Sequence, residues 1–104
     1  MIITFNFEKE YTSTPYARNA EHDKEKNGED FEKNYLSKWI DKKQETLIKV
    51  DNLELPFSDS FVDASFCKLI RQNKELFYKY IKIDDKTDDE KDLLNTIKEV
   101  LARK

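Results

Sequence analysis

Ile2, Ile3, Phe5 and Phe7 open the chain with a short apolar run that passes into alternation, the pattern of a strand. Tyr11-Thr12-Ser13-Thr14-Pro15-Tyr16 is polar and broken by proline, so it reads as a loop or a weak edge strand. From Glu21 to Glu29 nearly every residue is charged or polar, and the only glycine, Gly28, lies there; this predicts an exposed, mobile loop. Asn27 is placed to cap the next helix, with Glu29 and Asp30 where acids suit the positive end of the helix dipole. Phe31, Tyr35, Leu36, Trp39 and Ile40 then recur at helical spacing, and Glu45-Thr46 ends the pattern. Leu47, Ile48 and Val50 predict a second strand, and residues 52–59 a turn.

Val62, Phe66, Leu69 and Ile70 line one face of a second helix that runs to about Asn73. Over 77–83, Phe77, Lys79, Ile81 and Ile83 alternate with Tyr78, Tyr80 and Lys82, which predicts a third strand. Thr87-Asp88-Asp89-Glu90 has the form of a capping box. Leu93, Leu94, Ile97, Val100 and Leu101 follow as the apolar stripe of a last helix, with Arg103 and Lys104 at its negative end. Strands alternating with helices predict a single α/β domain over residues 1–104, with a mixed, mostly parallel sheet and about three main helices. Right-handed crossovers are expected to place those helices on the sheet faces.

Composition pulls two ways. Apolar residues make up 38% and charged residues 39%, a balance that leans toward disorder. Seven Phe, five Tyr and one Trp point instead to a folded domain with a small core, because aromatics carry much of a core's burial. A domain of this size has a stability of about 5–10 kcal/mol. The net charge of −3 disfavours nucleic acid and anionic membranes as partners. The single cysteine, Cys67, precludes an internal disulfide and suits a reducing compartment. No apolar run approaches the ~20 residues of a membrane span, and Met1 to Phe5 lacks the basic region and cleavage site of a signal peptide. The expected location is the cytoplasm.

The segment with most chemical content is Ser60 to Leu69. It follows the second strand by a loop holding Pro56, Ser58 and Asp59. Ser60, with Asp63 three residues on, resembles a capping box in which Asp replaces Glu. Ser60 can be a plain cap worth about 1 kcal/mol, or it can be a phosphoacceptor. A phosphate there adds nearly two negative charges, favoured by the helix start and opposed by Asp59 and Asp63.

Residues 50–69 resemble the STAS superfamily of sulfate-transporter and anti-sigma-antagonist domains. In those domains a strand ends in aspartate and Asp-Ser-Ser/Thr-Gly opens a helix. Asp51 matches the strand aspartate and Asp59-Ser60 match the Asp-Ser pair, while Phe61 and Val62 depart from the next two positions. The chain is also similar to a bacterial family of STAS-like proteins of unknown function with the pattern Ser-Phe-Leu-Asp-Glu-Ala-Phe-Gly-Gly-Leu. Ser60, Phe61, Asp63, Phe66 and Leu69 are kept, whereas Ala64, Cys67 and Lys68 replace the Glu and two glycines. Asn27-Gly28-Glu29-Asp30-Phe31 is similar to its Ser-Gly-Glu-Glu-Phe patch, and Arg18 to an arginine in the preceding loop.

The resemblance implies a STAS-like domain acting as a non-enzymatic, protein-binding regulator. Ser60 is then the phosphoacceptor for a kinase of the histidine-kinase ATPase fold. Ser58, Asp59, Ser60, Phe61 and Asp63 form the partner-binding segment, and the chain acts as a monomer or homodimer. The alternative is a phage or mobile-element inhibitor that occludes a host defence or regulatory protein.

Other residues carry less. His22 is the only histidine and lies in a charged loop; Ser13 or Cys67 as its nucleophile has no motif behind it. Cys67, between Phe66 and Leu69, reads as a buried structural thiol. The run Asp84 to Glu90 lacks the alternate-ligand spacing and glycine of a calcium loop, so capping and solvation are expected there, with no metal. Tyr78 and Tyr80 could stack bases, yet the charge balance points away from nucleic acid. No cofactor and no catalytic group are expected.

Overall fold

In the computed structural model, which describes residues 1–103, three short strands make one sheet: β1 (Ile3–Asn6), β2 (Thr46–Lys49) and β3 (Ile81–Ile83). Both neighbouring pairs are parallel, in the order β1-β2-β3, so the sheet is wholly parallel rather than mixed. Ile3, Thr46 and Ile81 share one row, and Phe5, Ile48 and Ile83 another. These rows form the inner face, where Phe5, Thr46, Ile48 and Ile81 are buried. Thr4, Leu47 and Lys82 lie on the other face, which stays at least partly open.

Five helices accompany the sheet. α1 (Phe7–Glu10) follows β1 directly. α2 spans 28–41 as three joined segments, Gly28–Phe31, Glu32–Leu36 and Ser37–Asp41. α3 spans 59–72 in the same way, as Asp59–Val62, Asp63–Cys67 and Lys68–Gln72. α4 is Lys74–Tyr80 and α5 is Asp88–Ala102. Crossovers of one hand between strands taken in order lie on one face of a sheet. Both connections therefore back the inner face, so of the sheet faces on which helices were expected only this one is covered.

The middle segments of α2 and α3 are widened to π-type turns. Such widening displaces backbone hydrogen bonds, and side chains offer alternatives. The Ser65 hydroxyl donates to the Phe61 carbonyl at 2.7 Å, and the Ser37 hydroxyl donates to Glu32. α2 ends at Asp41, one residue past Ile40, the last apolar position of its pattern. Lys43 takes φ 57°, its amide donates to the Ile40 carbonyl at 3.0 Å, and the Gln44 amide reaches the Trp39 carbonyl at 2.7 Å. That is a Schellman ending with lysine where glycine is usual.

Residues 77–80 are helical, so the predicted strand over 77–83 is shortened to Ile81–Ile83. The Asn73 side chain accepts from the Leu76 amide at 3.0 Å and starts α4. Phe77 and Ile81 are both buried and four residues apart, a spacing that fits a helix face and a strand face alike. The cap broke the tie. At the other boundaries, Phe7 leaves β1 for α1, and β2 runs Thr46–Lys49, so Val50 and Asp51 lie beyond its end. Residues 11–16 join no strand.

One cluster of buried side chains joins Phe5, Ile48 and Ile81 of the sheet to Phe31 and Leu36 of α2, Phe61, Phe66 and Ile70 of α3, and Leu93, Ile97 and Val100 of α5. Full burial of each such side chain contributes about 1.5–3 kcal/mol. The Cα radius of gyration is 12.5 Å, against about 13 Å for a folded 100-residue domain. The aromatic core thus outweighs the high charge content. The predicted capping box forms: the Thr87 side chain accepts from the Glu90 amide, and the Glu90 side chain accepts from the Thr87 amide at 2.9 Å.

Candidate functional site

The loop 52–58 delivers the chain to the first turn of α3, and a serine caps it, but the serine is Ser58. Its Oγ accepts from the Phe61 amide at 3.0 Å and donates to the Tyr16 carbonyl at 2.7 Å. Its amide donates to the Pro15 carbonyl at 3.0 Å. The expected Ser60–Asp63 box is replaced by this arrangement, because Ser58 is tied to residues 15–16 and Ser60 lies one turn position inside the helix. Ser60 is exposed and has no capping role. Replacing Ser58 by Ala is therefore expected to cost about 1 kcal/mol, and Ser60→Ala less than about 0.5 kcal/mol. Urea midpoints of the two variants check this, and equal losses would contradict the assignment.

Phe61 and Val62 are fully buried. Phe61, expected as a contact residue, is thus a core anchor of the first turn of α3. What the surface presents is Asp59, Ser60 and, half-buried, Ser58 and Asp63.

Three arginines from three parts of the chain meet these residues. Arg18, in the loop before α2, places Nη2 3.0 Å from Asp63 Oδ2. Arg71, in the last turn of α3, places Nη1 2.6 Å from Asp63 Oδ1, and its Nη2 donates to the Val100 carbonyl at 3.4 Å. Arg103, just past α5, pairs with Asp59 at 2.7 Å. The Arg71 hydrogen bond, reinforced by Arg18, holds the Asp63 carboxyl below the usual carboxylate range. The three arginines, Asp59, Ser60, Asp63 and Val100 border an open hollow of about 320 Å3. A second hollow of about 290 Å3 shares Arg18, Asp63 and Arg71 with it and is also lined by Lys68, which is itself paired to Glu32 at 2.8 Å.

Local backbone contacts aim Arg18. The Gly28 amide donates to the Ala17 carbonyl at 2.9 Å and the Glu29 amide to the Arg18 carbonyl at 3.0 Å. Gly28 is not in an exposed loop: it is buried at the start of α2, against the Phe61 backbone. Asn27 does cap that helix, accepting from the Asp30 amide at 2.8 Å. Sequence reasoning missed Arg71 altogether and took Arg103 only as a helix-end cation. Arg18 was singled out through the resemblance alone.

The carboxyl ends of the strands open onto another hollow of about 270 Å3, bordered by Asn6, Lys9, Lys49, Asp51 and Lys86. Several charged groups at its border are paired or hydrogen-bonded. Lys49 and Asp84 pair at 2.5 Å, which lowers the Asp84 pKa and raises that of Lys49. Buried Glu90 accepts from the amides of Val50, Lys86 and Thr87 at 2.7–2.9 Å. Asp89 accepts from the Leu53 amide at 3.0 Å. The acidic run 84–90 is thus engaged in pairing and capping.

The remaining chemistry-bearing residues lie apart from this surface. His22 is exposed in its loop, and its carbonyl accepts from the Tyr16 hydroxyl at 3.0 Å. Ser13 contributes its carbonyl to the amides of Glu54 and Leu55. Cys67 is buried in the core, and burial pushes its thiol up to about 11. Tyr78 stands half-exposed, edge-on to Phe77, and Lys79 lies over the Tyr80 ring at 5.5 Å. Among the described residues no group of three or more His, Cys, Asp and Glu side chains is arranged to hold a metal ion, and no helix is long and apolar enough to cross a membrane.

Comparison of the chain with family models, with curated proteins and with solved structures returns no match.

Proposed function

We propose that this chain is a small protein-binding regulatory module of STAS-like type, with Ser60 as a phosphoacceptor at the centre of its contact surface. The observation that carries this reading is an exposed serine without a capping role, on the first turn of α3, lining one hollow with three arginines. A second observation supports it. The two patches on which the resemblance rests are about thirty residues apart in the chain, yet Gly28 abuts Phe61 and Arg18 binds Asp63. The partner is a kinase of the ATPase fold. It docks on Ser58, Asp59, Ser60 and Asp63, and buried Phe61 supports that surface.

In the transfer, Ser60 Oγ attacks the γ-phosphorus of ATP held by the kinase. The Oγ–P bond forms as the bond from phosphorus to the bridging oxygen breaks. The electron pair leaves on ADP, and the hydroxyl proton passes to a base of the kinase. Incubation with ATP and the ATPase-fold kinases encoded beside the gene, followed by mass-spectrometric site mapping, tests the proposal. Phosphate on Ser60, lost in Ser60→Ala, is the expected result. Absence of labelling, together with unchanged partner binding by Ser60→Asp, overturns it. A pull-down that recovers a host defence protein, indifferent to Ser60, would replace this reading with that of an inhibitor.

A further inference from the structure

We infer that a phosphate on Ser60 is captured by the chain's own Arg18, Arg71 and Arg103, so that the switch works by exchange of ion-pair partners within the molecule. This rests on Ser60 as the phosphoacceptor and adds the regulatory device. The three arginines reach one hollow from the loop before α2, from α3 and from the end of α5. Their side chains are 41%, 37% and 59% exposed, which leaves each room to swing.

At present Asp63 holds two of them and Asp59 the third. Among the described residues, three guanidinium groups against two carboxylates give the hollow a positive excess, in a chain whose net charge is −3. Phosphoserine carries nearly two negative charges and three acceptor oxygens, and guanidinium forks bind phosphate in bidentate fashion. A carboxylate offers one charge and two oxygens. The phosphate therefore draws arginines away from Asp59 and Asp63. Those two carboxylates turn to solvent, and the outer surface of the first turn changes from paired to acidic. Through Arg103 and Arg71 the phosphate also ties the end of α5 to the start of α3. Among the described residues, the charged groups that line the hollow are Arg18 from the loop, Asp59, Asp63 and Arg71 from α3, and Arg103 beyond α5.

Phosphoserine placed at position 60 by suppression of a stop codon makes the test independent of any kinase. Phosphorus NMR follows the second ionisation of the phosphate in the folded chain and in the same chain unfolded in urea. Capture predicts a midpoint about one pH unit lower in the folded chain, and Arg18→Ala, Arg71→Ala and Arg103→Ala each move it part of the way back. Asp59 and Asp63 alone would raise the midpoint, so the opposite sign, or no difference, overturns capture. The comparison of folded with unfolded chain decides this even if an arginine variant fails to fold. A lowered midpoint with no kinase labelling Ser60 upholds capture and removes the switch. Labelling with an unshifted midpoint overturns capture and leaves the switch.

Discussion

Phe31→Ala is expected to lower the free energy of unfolding by about 3–5 kcal/mol, the range for a large aromatic removed from a packed core. Phe31 is fully buried, and its ring centroid lies within 6.3 Å of those of at least seven other aromatic rings. Those rings come from β1, α1, α2 and α3 and from Tyr11, so the cavity would open where the sheet meets both long helices. The walls cannot close over it by moving one element. A domain of this size has about 5–10 kcal/mol in total, so the variant should be partly unfolded near physiological temperature. Urea denaturation followed by Trp39 fluorescence measures the loss, since that indole is edge-on to Phe31 at 6.3 Å. A loss under about 1 kcal/mol would mean that the cluster repacks as volume-tolerant cores do.

Gly28→Ala is the second large effect, at about 1–3 kcal/mol of destabilisation from overpacking. A Cβ there would stand 2.6 Å from the Phe61 carbonyl oxygen, 3.0 Å from the Ala64 Cβ and 3.2 Å from the Phe61 Cα. The nearest obstacle is backbone, so no rotamer change relieves it, and α2 must move off α3. Alanine's better helix propensity returns only about 1 kcal/mol at most. The shift would carry the first turn of α3, and with it Ser60, so partner binding should weaken beyond what stability alone explains. Adding Ala64→Gly removes one of the three contacts and leaves the carbonyl clash, so it should not restore the parent midpoint. Full restoration would show that the backbone contact is softer than its distance implies.

Features written in neighbouring residues were legible. The stripe Phe31, Tyr35, Leu36 made α2, Val62, Phe66, Ile70 made α3, and Leu93, Ile97, Val100 made the buried side of α5. Asn27 and the Thr87–Glu90 pair cap where their spacing said they would. Ser58 and Ser60 show how far that local code reaches. Both stand at the head of the same helix, and hydrogen bonds from Ser58 to Tyr16 and Pro15 made the choice.

Residues 77–80 could satisfy either period, and Asn73, read as the end of one helix, was also the start of the next. Gly28 looked like loop material because its neighbours are charged. Its role lies in what approaches it from α3. The arginine-bordered hollow was the least visible feature. Arg18 and Asp63 are 45 positions apart, and Arg103 and Asp59 are nearly as distant.

By itself the sequence determined that an aromatic core would form, where the long helices run and how two of them begin. Those properties depend on periodicity and caps within a few residues, whose energies are set before any long-range contact exists. Only the tertiary structure decided that the sheet is wholly parallel with its helices on one face, that Phe61 is core and Ser60 surface, and that three arginines line one hollow with Ser60. Each depends on which distant segments touch, and burial of the shared core selects that, not the preference of any one segment.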